Sequence, residues 1–147
     1  MKNKPYIFRK IIAAIIDYAI IYGITFLYLM KFGKLTGDGG YQANGLYAFP
    51  PIILWVVMLP IAESVFSRTL GHWIVGLKIA DESGIKADFI QTFKRRLADI
   101  VEIPFFGIPA IIAINKTTKN QRIGDLWAET IVVSRKDEKV KIENTSG

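Results

Sequence analysis

No cysteine occurs in the 147 residues, which removes disulfides, thiolate nucleophiles and cysteine-based metal sites together. The redox state of the compartment is therefore not readable from the sequence. The chain has one histidine, His72, so a metal site would have to be built from carboxylates alone. No nucleophile elbow accompanies that histidine, and the usual setting of a Ser–His–Asp hydrolase is missing. Gly37-Asp38-Gly39-Gly40 is not followed by Gly-Lys-Ser/Thr and reads as turn chemistry rather than a phosphate loop. Neither Ile16-Asp17-Tyr18 nor Ile123-Gly124-Asp125 has the Gly-x-Gly-Asp pattern of intramembrane aspartyl proteases. These gaps predict a chain that is not an enzyme, has no catalytic residue, and takes neither a metal nor a cofactor.

Acids are also missing from the first ten residues, which hold Lys2, Lys4, Arg9 and Lys10. The net charge of +6 raises the question of nucleic acid. The basic residues flank apolar blocks instead of forming one stripe, so no nucleic-acid partner is expected. Apolar residues make up 51% of the chain and are gathered into those blocks, which favours a small polytopic membrane protein over a soluble core.

From Ile11 to Met30 the only ionisable groups are Asp17 and tyrosines. About twenty helical residues span about 30 Å, the thickness of a hydrocarbon core. The stretch exceeds a signal-peptide core and has no small-residue cleavage pattern, so a retained helix over about Phe8 to Met30 is expected. The acid-free basic start places the amino terminus in the cytoplasm by the positive-inside rule. Residues 31–48 read as a polar outer loop. Phe49 to Phe66 is the second span, entered through Pro50-Pro51, with Pro60 expected to bend it one turn before Glu63. Residues 67–96 are rich in Lys and Arg and belong inside. Within them, Gly76-Leu-Lys-Ile-Ala and Gly84-Ile-Lys-Ala flank Asp81-Glu82-Ser83 and read as a short hairpin. Thr130-Ile-Val-Val is a β-branched run able to add a strand. Ile90 to Arg96 starts a basic amphipathic helix suited to the membrane surface.

Leu97 to Ile114 is apolar but carries Asp99 and Glu102 early, then Pro104, Gly107 and Pro109. A full third span would put the lysine-rich end outside, against the charge rule. A broken or re-entrant segment, turning at residues 104–109, returns it to the cytoplasm. The predicted fold class is an all-α polytopic membrane protein. It has two spanning helices, a broken or re-entrant third membrane segment, and a small cytoplasmic β-hairpin or three-stranded element. Residues 1–134 form one membrane domain and 135–147 a charged, flexible cytoplasmic tail.

Ionisable groups in or beside apolar blocks are the candidates for chemistry: Arg9, Lys10, Asp17, Glu63, Arg96, Asp99, Glu102, Arg122 and Asp125. A charge at bilayer depth costs roughly 2.5–3.5 kcal/mol on insertion scales, so each needs a partner, a proton or a wet cavity. Asp99 follows Arg95 by four residues and Arg96 by three, and Asp125 follows Arg122 by three, so local pairing on a helix is one reading of both clusters. Asp17 has only Lys10, about two turns away, on its own face. Its partner is either Lys10 or a group on another helix. Glu63 is read either as a snorkelling, half-solvated carboxylate at the inner interface or as part of a site.

Several stretches together resemble the RDD family, which is named for one arginine and two aspartates. Arg9-Lys10-x-x-Ala13-x-x-x-Asp17 is similar to its first-helix signature. Thr69-Leu-Gly71-His72-x-x-x-Gly76-Leu-Lys-Ile is similar to its Thr-x-Gly-Lys…Gly-Leu-Arg-Val stretch. Arg96-Leu-Ala-Asp99 and Gln121-Arg-Ile-Gly-Asp125-Leu-x-Ala-x-Thr130-x-Val-Val follow in the family's order. The resemblance implies a small protein of the bacterial inner membrane, with transport as the suggested role. It puts the family's arginine on Arg9 or Lys10, the first aspartate on Asp17 and the second on Asp125. Thr69, Gly71, Gly76 and Thr130 fall on its structural positions. Lysine stands in strict register with Asp17 where the family has arginine, and His72 stands where it has lysine.

Two functions from different classes are expected. In the first, a polar site around Asp17 transports a monovalent cation or proton, and a chain this small assembles as a homo-oligomer in the lipid bilayer. In the second, the chain is a non-transporting scaffold or accessory subunit whose Arg/Lys–Asp pairs lock helices together.

Overall fold

The computed structural model describes residues 6–136 and residue 138. Helix α1 (Ile7–Phe32) is a single 26-residue run, long enough to cross a membrane. It buries only Ala13, Asp17 and Ile21. Those three recur every fourth residue, so they form one narrow stripe along the helix. The other apolar side chains of α1 point outward, among them Ile15, Phe26 and Leu27, as expected of a helix in contact with lipid. After Gly33, whose N–H bonds the carbonyl of Leu29, a two-residue ribbon pairs β1 (Lys34–Leu35) with β2 (Tyr41–Gln42).

The second run long and apolar enough to cross a membrane is Gly45–Phe66. It comprises a 3₁₀ turn (Gly45–Ala48), α2 (Phe49–Val56), a π-helical turn (Val57–Ile61) and α3 (Ala62–Phe66). Pro60 lies inside the π turn. Proline offers no N–H to the ladder, and widening by one residue absorbs it without ending the helix. Glu63, one turn further, is fully buried. The snorkelling, half-solvated reading of Glu63 is therefore corrected.

Helix α4 (Leu70–Ile74) begins at Thr69, whose side chain accepts the backbone N–H of His72. It packs against α1. Gly71 makes that approach feasible, because a Cβ there would stand 2.1 Å from the carbonyl oxygen of Ala13. Strand β3 (Leu77–Asp81) follows. Its partner is β4 (Thr130–Ser134), antiparallel, with Leu77 opposite Ser134 and Asp81 opposite Thr130. The local hairpin expected between Gly76 and Ala87 is thus a misreading. Asp81 Oδ1 accepts both the Ile85 N–H and the Ser83 hydroxyl. That tight turn leads to Asp88, which caps the next helix before a second arm can extend. The sheet has two strands, β3 and β4, rather than three.

Helix α5 (Phe89–Leu97) opens with a capping box in which Asp88 and Gln91 satisfy each other's backbone N–H groups. At its basic end Arg95 and Arg96 are both 2% exposed and turn into the protein, while Lys94 stays exposed. A short helix, α6 (Asp99–Glu102), and a 3₁₀ turn (Ile103–Phe105) complete the first arm of the third segment. The second arm is α7 (Ile108–Lys116). The arms meet at 117°. Phe106 and Gly107, both left-handed with φ of 55° and 71°, make the break, and Pro109 sits in the first turn of α7, where its missing N–H costs nothing. Such a bend is compatible with a broken span or with a re-entrant segment. Helix α8 (Ile123–Ala128) then leads into β4.

A small apolar cluster of Leu77, Ile79, Ala87 and Val132 sits under the sheet. Elsewhere the buried set is dominated by polar and charged residues, so what holds the helices together is largely ionic. Most of the charged tail expected over 135–147 lies outside the described residues. Of its described part, Glu138 accepts from Lys78 at 2.8 Å.

Candidate functional site

Asp17 is 1% exposed, and both of its oxygens are engaged by the turn that starts α4. Thr69 Oγ1 donates to Oδ2 at 2.5 Å, and the Gly71 N–H donates to Oδ1 at 2.7 Å. The same Thr69 oxygen lies 2.7 Å from His72 Nδ1. A hydroxyl has one hydrogen. When Thr69 gives it to Asp17, the imidazole must donate from Nδ1, and Nε2 is left as an acceptor. His72 is 4% exposed. Burial first, and then the positive charges of Arg95, Arg96 and Arg122, hold its pKa well below the ordinary value of 6.5, so it is neutral at neutral pH.

A network of ion pairs lies beside this chain of hydrogen bonds. Arg96, on α5, pairs with Glu63 of α3 and, at 3.1 Å, with Asp99. Arg95 pairs with Asp125 of α8 and lies 3.5 Å from Glu63. Arg122 reaches Asp99 at 2.5 Å, Glu102 at 3.2 Å and Asp125 at 3.6 Å. Burial alone would lower the pKa of Arg122, but Asp99 and Glu102 raise it above its ordinary value, and it stays charged. Glu102 also accepts the Gly124 N–H at 3.0 Å, and Tyr18 donates to Asp99 at 2.5 Å. The network therefore ties α1, α3, α5, α6 and α8 to one another. Each carboxylate in it has a cationic partner, the condition under which charges can be buried.

A cavity of about 340 Å³ opens between α1 and the bent third segment. Lys10, His72, Arg95, Arg96 and Arg122 contribute to its polar wall with Asp99 and Glu102; Ile11, Ile15, Phe106 and Ile111 belong to its apolar wall. Lys10 Nζ donates to the carbonyl of Asn120 at 2.8 Å.

Eight of the residues singled out in the sequence thus belong to the site or its rim: Lys10, Asp17, Glu63, Arg96, Asp99, Glu102, Arg122 and Asp125. Arg9 does not. Its side chain is exposed and its guanidinium lies 5.7 Å from the ring centre of Tyr6. Of the two partners open to Asp17, a group on another element is the one found, and Lys10 is not. Among the described residues neither Asp99 nor Asp125 is hydrogen-bonded to Asp17. Local pairing holds for Arg96–Asp99 and Arg122–Asp125, whereas Arg95 bypasses Asp99 for Asp125 and Glu63. Thr69 and Gly71 hold Asp17; Gly76 precedes β3 and Thr130 opens β4, with the Thr130 carbonyl accepting Gln121 Nε2 at 2.8 Å. Sequence reasoning gave no site role to Tyr18, His72 or Arg95. The spacing of Thr69 and His72, an N-cap and its third following residue, was the available signal for one of them.

Among the described residues no three carboxylate or imidazole groups converge as a metal site requires. A model of the RDD family matches residues 4–129. No curated protein and no solved structure matches the chain. With most of its length matched and two apolar helices of spanning length, the chain belongs to the RDD family of membrane proteins.

Proposed function

We propose that this chain is a small transport protein of the bacterial inner membrane, with its amino terminus in the cytoplasm, and that the ion it moves is a proton. The observation that carries the reading is the Asp17–Thr69–His72 hydrogen-bond chain, which begins at a wall residue of the cavity and ends on a buried carboxylate. A proton arriving at His72 Nε2 allows Nδ1–H to pass to Thr69 and the Thr69 hydrogen to pass to Asp17. Asp17 becomes neutral, and the imidazole is never left charged. A monovalent metal cation, the other ion expected, fits less well, because the cluster carboxylates are already paired with guanidinium groups. The acid-free basic start of the chain supports the orientation. In this proposal copies of the chain associate to complete a path across the bilayer, and no covalent chemistry is assigned to it.

The scaffold reading is favoured by one observation, the complete satisfaction of both Asp17 oxygens by Thr69 and Gly71. Purified protein in liposomes loaded with a pH-sensitive dye separates the two. Under an imposed potential, native protein accelerates acidification over empty liposomes, and Asp17→Asn and His72→Gln abolish most of the gain while retaining helical content. Native protein that leaves the dye signal at the empty-liposome rate refutes transport of protons, and a sodium gradient in the same liposomes tests the metal-cation alternative.

A further inference from the structure

Lys10 carries an ammonium on a largely apolar helix, at the wall of the cavity. An ammonium has three hydrogens to donate, and Lys10 uses one on the Asn120 carbonyl. Among the described residues no carboxylate lies within ion-pairing distance of it. Over the whole network four carboxylates face three guanidinium groups, but the balance at the cavity wall is the reverse. Glu63 and Asp125 are fully buried and do not line it. The wall itself has four cations, Lys10, Arg95, Arg96 and Arg122, against two carboxylates, Asp99 and Glu102. Arg122 Nη2 and Arg96 Nε, moreover, have no hydrogen-bond acceptor among the described residues. Buried donors without partners call for an explanation, and a bound ion is one that fits the charge of these two.

Much of the remaining lining is hydrocarbon. Ile11, Ile15, Ile111 and Phe106 belong to it, and Phe106 at the bend is 92% exposed. The cavity thus opens where the apolar faces of α1 and α7 meet the surroundings. A free inorganic anion would use only the cationic wall, and a neutral lipid only the apolar one.

We infer that this cavity binds an anionic amphiphile, with a phosphate or carboxylate head against Lys10 and Arg122 and a hydrocarbon tail along Ile11, Ile15 and Phe106. The inference stands apart from proton movement, since it asks only for a bound molecule. A single charge-assisted contact at Lys10 is enough to make the head group matter, because such contacts are about twice as strong as neutral ones.

Equilibrium binding of radiolabelled dodecyl phosphate to full-length protein in a maltoside detergent tests it. Saturable binding above that of empty micelles is expected. Unlabelled inorganic phosphate, which has the head alone, and dodecyl glucoside, which has the tail alone, should each compete at least about tenfold more weakly than dodecyl phosphate. Lys10→Gln should weaken binding about tenfold, or 1.4 kcal/mol by the usual conversion, and Lys10→Arg should restore it. Phe106→Ala, at a position too exposed to threaten the fold, should weaken dodecyl phosphate and leave inorganic phosphate unchanged. Non-saturable uptake equal to that of micelles overturns the inference. So does equal competition by the glucoside, which leaves a tail site only, or by inorganic phosphate, which leaves a simple anion site. Unchanged affinity in folded Lys10→Gln overturns the placement of the head.

Discussion

Thr69 and Asp17 are 52 residues apart in sequence and share a hydrogen bond of 2.5 Å between α4 and α1. Replacing Thr69 with valine keeps the shape and removes the donor. One carboxylate oxygen is then left without its partner, at a cost of about 1–3 kcal/mol for a buried acceptor. Thr69→Val should therefore lower the thermal unfolding midpoint in detergent, and Thr69→Ser, which keeps the hydroxyl, should restore most of it.

The Gly71–Ala13 approach makes a steric prediction. A methyl group at residue 71 would meet a backbone carbonyl at 2.1 Å, which no side-chain rotation relieves. Gly71→Ala should separate α4 from α1, lengthen the Asp17 hydrogen bonds, and cost roughly 1–3 kcal/mol, the range for overpacking. A disulfide placed between the two helices reads the change directly: it should form more slowly in the variant than in the parent bearing the same cysteine pair.

Arg95 and Asp125 test how far the fold depends on paired charge. Arg95→Met leaves Asp125 fully buried with only the longer 3.6 Å contact to Arg122 as an ionic partner, and breaking a buried pair from one side costs about 3–5 kcal/mol. Arg95→Met combined with Asp125→Leu should recover most of that loss, because apolar replacement of both partners is often neutral. A double-mutant cycle on unfolding midpoints checks it. Additive losses would show that the two residues do not act as a pair.

His72 sets a pH dependence. Its folded pKa is depressed well below 6.5, so below that pH the unfolded chain binds a proton that the folded chain does not. Stability from this group is complete above about 6.5 and falls progressively as the pH drops below it. His72→Gln should flatten this part of the curve of unfolding midpoint against pH. A parent curve that rises as the pH falls from 7 to 5 contradicts the assignment.

Both helices of spanning length were legible because length and hydropathy alone decide them, and at Pro60 the second one carries a π-helical turn. The break in the third segment was legible from Pro104, Gly107 and Pro109. The pairing of β3 was not, since Thr130 lies far along the chain and a local turn at Asp81 mimics a hairpin. The fate of Arg95 was hidden for a different reason. Neighbouring positions on a helix point about 100° apart, so no local pattern tells that both Arg95 and Arg96 turn inward. Only Glu63 on one side and Asp125 on the other make that arrangement stable. Asp17 was identified correctly as a residue that needs a partner, but the partner came from a capping turn that carries no charge.

The β3–β4 ladder has a consequence for the order of assembly. Glu82 N–H bonds the Glu129 carbonyl at 3.1 Å just beyond the ladder, so everything between those residues leaves and returns at one place. Closing so long a loop has an entropy cost that grows with its length, and contacts of this separation form late in folding. On the ribosome, α5, α6, α7 and α8 all emerge before the strand that secures them. A nascent chain halted short of Thr130 would carry the whole bent segment unclasped, with Gln121 lacking its carbonyl acceptor on residue 130.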